Sequence, residues 1–309
     1  MHALALGLLL AAACLHVTWN LLLKTAAARD VVTWWAIVAG SVLFLPVLLA
    51  AAPFPAAVRR LAVVSAAVEA VYYVLLAYAY GQADFSQVYP IARGAAPVLL
   101  AVWSAPLLRE YPSVWGGIGI LAIVLGLVVI GTTADPGPTA RGDGSPGGTP
   151  FTTPGGVPFT PGHRPGVSRT SVVFLALGVA LCTSVYSLID GIAVRRAAPA
   201  PYQVAVLGLT GLFLAPRALL RFRPRPLLAE FRRQWARIVA AGVLMMLGYT
   251  LVLRAYELER LAYAGAVREV GVVLAALVGW RWLGESFGPR RVAGASAVFL
   301  GIMVLALFG

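Results

Sequence analysis

Four residues recur in this chain in the same order and at the same intervals: Arg93, Glu110, Gly119 and Gly126, then Arg268, Glu285, Gly294 and Gly301. Both arginines stand at the start of apolar runs of helix length, Gly94 to Leu108 and Val270 to Leu283. At 1.5 Å per residue each lies about 12 Å into its segment. A charge at such depth in a membrane costs about 2.5–3.5 kcal/mol on insertion scales. A cost carried at two matching positions points to a role. A guanidinium fork there can hold a carboxylate or a phosphate. Equally, the two could form a structural pair with Glu69, Glu269 or helix-end carbonyls.

Other polar residues fall on helical faces. His16, Asn20 and Lys24 follow one another at i, i+4 and i+8, with Trp19 beside them. Such a stripe must face protein or water rather than lipid. His16 lies about 20 Å along its segment, where it either lines a cavity or makes an interhelical hydrogen bond. Lys24 is near the segment end and can snorkel to the interface. Glu69, Tyr72, Tyr73, Leu76 and Tyr80 share another face. Glu69 is about 10 Å from the nearer surface, so it is either protonated, as a proton-carrying site, or paired with an arginine. Thr183, Tyr186, Ser187 and Asp190 form a third face, with Asp190 close enough to the segment end to be solvated. Tyr89, Tyr249, Tyr256 and Tyr263 complete the set. Aromatic stripes usually pack, yet tyrosine hydroxyls at depth need partners. Arg93 and Arg268 nearly balance Glu69, Asp190 and Glu269, so a zwitterion suits these charges as well as an anion or a cation.

The elements that position these groups are membrane spans. Sixty per cent of the residues are hydrophobic and 12% charged, about half the charge of a soluble domain. Apolar stretches near 20 residues, the length needed to cross about 30 Å of hydrocarbon, cover roughly 3–23, 31–51, 62–81, 86–108, 113–131, 171–193, 202–220, 237–257, 261–283 and 288–308. Continuous runs rather than period-two alternation mean helices, not a barrel. The fold class is therefore all-α integral membrane. Ten spans in two halves put five in each. An odd number makes the second half enter from the opposite side, so the two five-helix repeats are inverted, as in many secondary transporters.

The halves comprise residues 1–131 and 171–309. Between them, residues 132–170 are rich in Gly, Pro and Thr and read as a disordered linker. A second irregular stretch, 217–236, carries many arginines with Pro224 and Pro226. It reads as a loop that either contacts anionic lipid or determines topology. The net charge of +12 comes mostly from loop arginines and fits membrane retention rather than nucleic-acid binding. The arginine distribution favours termini facing out. The two cysteines, Cys14 and Cys182, provide neither a disulfide framework nor a zinc spacing, and no cofactor is expected. LAAAC, ending at Cys14, lacks a basic n-region and belongs to the first span. Gly284–Gly288 matches G-x-S-x-G without the strand that a nucleophile elbow needs. No GxxxxGK[ST] motif is present, so nucleotide hydrolysis is not the direct energy source.

Two stretches, YPIARGAAPVLLAVWSAPLLREYPSVWGGIGI and AGAVREVGVVLAALVGWRWLGESFGPRRVAGA, together with HVTWNLLLK in the first span, resemble the EamA-type transporters of the drug/metabolite transporter superfamily. The resemblance covers nearly all the chain outside 132–170. It implies a ten-helix inner-membrane carrier, with a central cavity lined by spans one, three, four, six, eight and nine, and termini in the cytoplasm. It also implies transport of amino acids, other small metabolites or drugs. The corresponding expectation is alternating access with Arg93 and Arg268 on the substrate's anionic group. His16, Trp19, Asn20, Tyr72, Tyr89, Tyr186 and Tyr249 would shape the cavity, and Glu69, Asp190 or His16 would carry a coupling proton. The partners expected are a small-molecule substrate and membrane lipid, with no nucleic acid. A membrane-embedded enzyme acting on a lipid-linked group would need a catalytic cluster near one interface. A non-transporting scaffold would lack a water-accessible cavity.

Overall fold

The computed structural model describes residues 1–24, 26, 28–82, 85–132, 169–222, 224–274, 277 and 289–309. Within them the chain forms eleven helices: α1 Ala3–Lys24, α2 Arg29–Leu43, α3 Leu45–Leu49, α4 Ala56–Gln82, α5 Phe85–Leu108, α6 Val114–Thr132, α7 Arg169–Val194, α8 Pro199–Phe222, α9 Pro224–Leu258, α10 Leu261–Arg268 and α11 Pro289–Phe308. Six of these (α1, α4, α5, α7, α8 and α9) are long and apolar enough to cross a membrane, while α6 and α11 carry shorter apolar stretches, Val114–Ile130 and Val292–Phe308. The linker at 132–170 lies almost wholly outside the described residues.

Lipid as the solvent explains which residues turn inward. The buried set is rich in alanine, including Ala5, Ala12, Ala36, Ala62, Ala66 and Ala70, whereas Leu107, Leu121, Phe174, Leu212, Phe299 and Leu300 are exposed. Small residues let helix backbones approach when no hydrophobic effect drives them together. The longest contact, α6 against α11, is built this way. Gly119 meets Gly301 and Gly126 meets Gly294: a Cβ on Gly126 would lie 2.5 Å from the Gly294 carbonyl oxygen, and one on Gly301 would lie 2.6 Å from that of Gly119. The glycines repeated in the sequence thus face each other crosswise. Gly40 on α2 and Gly242 on α9 make a similar approach. Other extensive contacts join α1 with α9, α4 with α7, α5 with α7, α2 with α9, α4 with α8, and α5 with α10.

Glu110, the first of the duplicated glutamates, is a staple. Arg109 adopts a left-handed φ of 56° just past α5. Glu110 then accepts the Leu261 backbone N–H (2.7 Å) at the start of α10 and pairs with Arg195 past the end of α7. That satisfies one of the donors a helix start leaves unpaired. Glu285 lies outside the described residues. The chain ends meet nearby, where the Met1 ammonium donates to the Leu305 and Ala306 carbonyls and the His2 N–H donates to Glu259 (2.7 Å).

Three expectations are corrected. The span expected at 31–51 divides at Phe44, and Pro46 lies in the first turn of the short α3; a proline has no N–H with which to continue the preceding helical ladder. The arginine-rich stretch at 217–236 is mostly helical, since Pro216 lies within α8 and Pro224 takes the first position of α9, where its missing N–H costs nothing. The span expected at 261–283 is interrupted at Glu269, where i→i+3 bonds (Glu269 N–H to Ala266 O, 3.1 Å; Val272 N–H to Glu269 O, 2.9 Å) tighten the turn before helix resumes at 270–274.

The glycine crossing predicts a specific sensitivity. Gly126→Val is expected to lower stability by about 1–3 kcal/mol through overpacking, whereas Gly117→Val, where a Cβ meets nothing within 4 Å, is expected to change it far less. Thermal unfolding of the two variants in detergent measures the difference.

Candidate functional site

Glu269 stands between the two arginines. One carboxylate oxygen, Oε2, accepts from Arg93 Nη1 at 3.2 Å, and Oε1 lies 3.6 Å from Arg268 Nη2. The glutamate is 1% exposed, against 26% for Arg93 and 14% for Arg268. Arg93 comes from α5, while Arg268 and Glu269 close α10, so the ion cluster joins the two parts of the chain. On an ideal helix, adjacent side chains diverge by about 100°, and the sequence had left Arg268 and Glu269 free to serve different sites. The structure brings them together at the tightened turn.

Each guanidinium has further partners. Arg93 Nη2 is 3.3 Å from His16 Nε2; a guanidinium only donates, so the imidazole nitrogen accepts. Arg268 Nη1 donates to Tyr256 Oη (2.9 Å) and Ser187 Oγ (3.2 Å). His16 stacks edge-on against Trp19 at 4.9 Å. Asn20 donates its amide to the His16 carbonyl (2.7 Å) on its own helix. From Tyr73 an aromatic chain runs to Tyr72 (5.2 Å), Tyr186 (5.8 Å) and Tyr249 (6.3 Å between centroids). Tyr89 is on α5, but its side chain lies outside the described residues.

Two other carboxylates differ in how fully they are partnered. Asp190 accepts hydroxyl protons from Ser65 (2.5 Å), Tyr202 (2.8 Å) and Tyr249 (2.7 Å). It is fully buried, which corrects the expectation that its place near the end of α7 leaves it solvated. Glu69 on α4 accepts one hydrogen bond, from Thr210 (2.8 Å). Thus His16, Arg93 and Arg268 belong to one constellation with Glu269. Tyr186 and Tyr249 lead from Tyr72 towards Asp190, and Glu69 has its own contact with α8. Sequence reasoning passed over Ser65, Tyr202 and Thr210. The Ser65–Glu69 spacing of one helical turn was the available sign for the first, and tertiary contact alone identifies the others. Among the described residues no group of three or more His, Cys, Asp or Glu side chains is placed to hold a metal ion.

The shared carboxylate predicts strong coupling. Glu269→Ala leaves two guanidinium groups without their common anion and is expected to cost about 3–5 kcal/mol of stability. A double-mutant cycle with Arg93→Ala, read by unfolding in mixed micelles, is expected to show a coupling above about 1 kcal/mol; additive losses would mean the two do not interact.

Comparison with known proteins adds three findings. Residues 170–307 match the EamA-like transporter family. No curated protein matches the chain. A solved crystal structure of a protein 19% identical in sequence superposes with a TM-score of 0.69 over 98% of this chain and 99% of its own, a likeness of fold.

Proposed function

Given an EamA-like transporter domain over residues 170–307, we propose that this multi-pass membrane protein is a secondary transporter of a small anionic or zwitterionic metabolite, such as an amino acid, or of a drug, working by alternating access in the inner membrane. The observation that carries this reading is Glu269 held between Arg93 and Arg268. Among the described residues of the cluster two cations share one anion, and guanidinium groups are well suited to an incoming carboxylate or phosphate. The substrate's anionic group competes with Glu269 for the guanidinium groups, while Trp19, Tyr72, Tyr186 and Tyr249 offer ring faces and hydroxyls to the remainder. His16 accepts a hydrogen bond from Arg93 and so helps to orient its guanidinium.

The reading includes ten spans in two inverted repeats, 1–131 and 171–309, joined by 132–170. Reciprocal helix pairs support it. The α1–α9 contact has its counterpart in α4–α7, α1–α10 in α5–α7, and α2–α9 in α4–α8, while α5–α10 and α6–α11 join like with like. A pseudo-two-fold axis in the membrane plane produces this pattern. Separating α5 from α10 breaks the Arg93–Glu269 bond, so binding at the cluster and rearrangement of the halves draw on the same interaction.

Glu69 is the best-placed proton carrier of the three candidates. Among the described residues Asp190 accepts three hydroxyl bonds and His16 Nε2 is engaged by Arg93, whereas Glu69 accepts one, from Thr210. The reaction is movement of a solute, with no bond made or broken.

Reconstitution of the full chain in liposomes with a panel of amino acids, carboxylates and organic phosphates, with and without a pH gradient, tests the proposal. Arg93→Gln and Arg268→Gln are each expected to lower uptake of the transported compound at least about tenfold, the loss of roughly one charged hydrogen bond. Glu69→Gln is expected to abolish gradient-driven accumulation while sparing counterflow. Unchanged uptake by both arginine variants would remove the binding site from the account.

A further inference from the structure

We propose that the first three turns of α9 form a docking surface for anionic phospholipid headgroups, separate from the central cluster. The length of α9 is the starting point. Its 35 residues extend about 52 Å at 1.5 Å per residue, well beyond a hydrocarbon core of about 30 Å. The surplus must lie outside that core. A break divides the helix: Gln234 leaves helical geometry (φ −124°, ψ 22°), separating an N-terminal segment from the continuous stretch that follows.

The N-terminal segment has two distinct faces. Leu227 is buried, its carbonyl accepts the Trp35 indole N–H at 2.9 Å, and Phe231 stacks on Trp35 at 4.8 Å. These contacts fix the segment against α2. The opposite face presents Arg225, Leu228 and Arg232, all exposed, at i, i+3 and i+7. Arg233 is 62% exposed beside them, its guanidinium reaching Glu230 at 2.9 Å. Trp235 follows at 60% exposure, and Leu220 at the end of α8 is 86% exposed. An open cleft of about 260 Å³ runs along Arg233, Gln234, Trp235, Ala236 and Arg237.

Arginine alternating with exposed leucine and tryptophan matches one kind of partner. Water alone would disfavour the apolar side chains, and lipid tails alone would disfavour the arginines. A phosphodiester headgroup with its acyl chains satisfies both, and each basic residue near such a surface contributes about a fivefold increase in binding. Arg59 and Arg60 on α4 are exposed too, but they lie at the opposite end of the bundle.

Native mass spectrometry of the full-length protein, released from mixed micelles of phosphatidylglycerol and phosphatidylcholine, tests the proposal. The unaltered protein is expected to retain phosphatidylglycerol in preference, and excess inorganic phosphate is expected not to displace it. Arg225→Gln/Arg232→Gln/Arg233→Gln is expected to lose that preference by about fivefold per arginine, whereas the corresponding triple lysine variant keeps it and Arg59→Gln/Arg60→Gln leaves it unchanged. Equal retention by the glutamine variant, loss in the lysine variant, or displacement by phosphate would overturn it. Gel filtration of each variant before measurement confirms a monodisperse fold. Because the readout is lipid retention, failure here is independent of failure in the transport assay.

Discussion

A carboxylate that cannot leave its two guanidinium neighbours without great cost organises this protein. Glu269 is buried between Arg93 and Arg268. Removing one partner of a buried ion group leaves an uncompensated charge, a larger penalty than most single packing defects. The cluster therefore constrains where α5, α7, α9 and α10 can lie, because Arg93 must reach Glu269 while Ser187 and Tyr256 must reach Arg268. It is also polar enough to exchange partners with a solute. A hydrophobic substitute of equal volume could hold helices together; it could not recognise charge.

The surrounding helices serve that convergence through close approach. Many small residues face inward beside buried leucines and valines such as Leu9, Leu100 and Val252, while Leu107, Leu121, Phe174 and Phe299 face outward. The Gly119–Gly301 and Gly126–Gly294 crossings bring α6 and α11 to backbone contact at the periphery. Large side chains at those points would force the helices apart. The polar groups inside follow a different logic: the buried carboxylates find partners on other helices, as Glu69 does in Thr210 and Asp190 in Ser65 and Tyr249.

Much of the architecture was legible because lipid imposes a simple rule of length and polarity. Several expected segments coincide closely with helices, among them 3–23 against Ala3–Lys24 and 288–308 against Pro289–Phe308, whereas α9 begins at Pro224, well before the expected 237. The repeated glycines also marked a real contact, since close approach leaves few choices of residue. The arginine-rich stretch was misread because its prolines suggest a loop, and only their positions at and near helix starts make them compatible with helix. Asp190 was misjudged because position along a span measures depth in the membrane, not enclosure by neighbouring helices. Glu269 was named only as one candidate partner among several: ideal helical geometry separates it from Arg268, and the turn that joins them is a local departure no spacing rule registers.

The duplicated arginines, alike in sequence, are unlike in surroundings, and the difference bears on which one meets solute first. Arg268 is 14% exposed and braced by Tyr256, Ser187 and its own neighbour Glu269. Arg93 is 26% exposed, reaches across the bundle to Glu269 and touches His16. The two hydroxyl partners of Arg268 come from other helices, Ser187 on α7 and Tyr256 on α9, but its ion partner Glu269 is its neighbour in the chain and moves with it. A group whose ion partner lies on another helix changes environment whenever those helices separate. In the proposed transport cycle, Arg268 would be the steadier anchor and Arg93 the contact that forms and breaks as α5 and α10 separate. Two copies of one residue can in this way divide binding from gating, provided the conformations differ in the distance between α5 and α10, because a ligand shifts an equilibrium only through contacts that differ between its states.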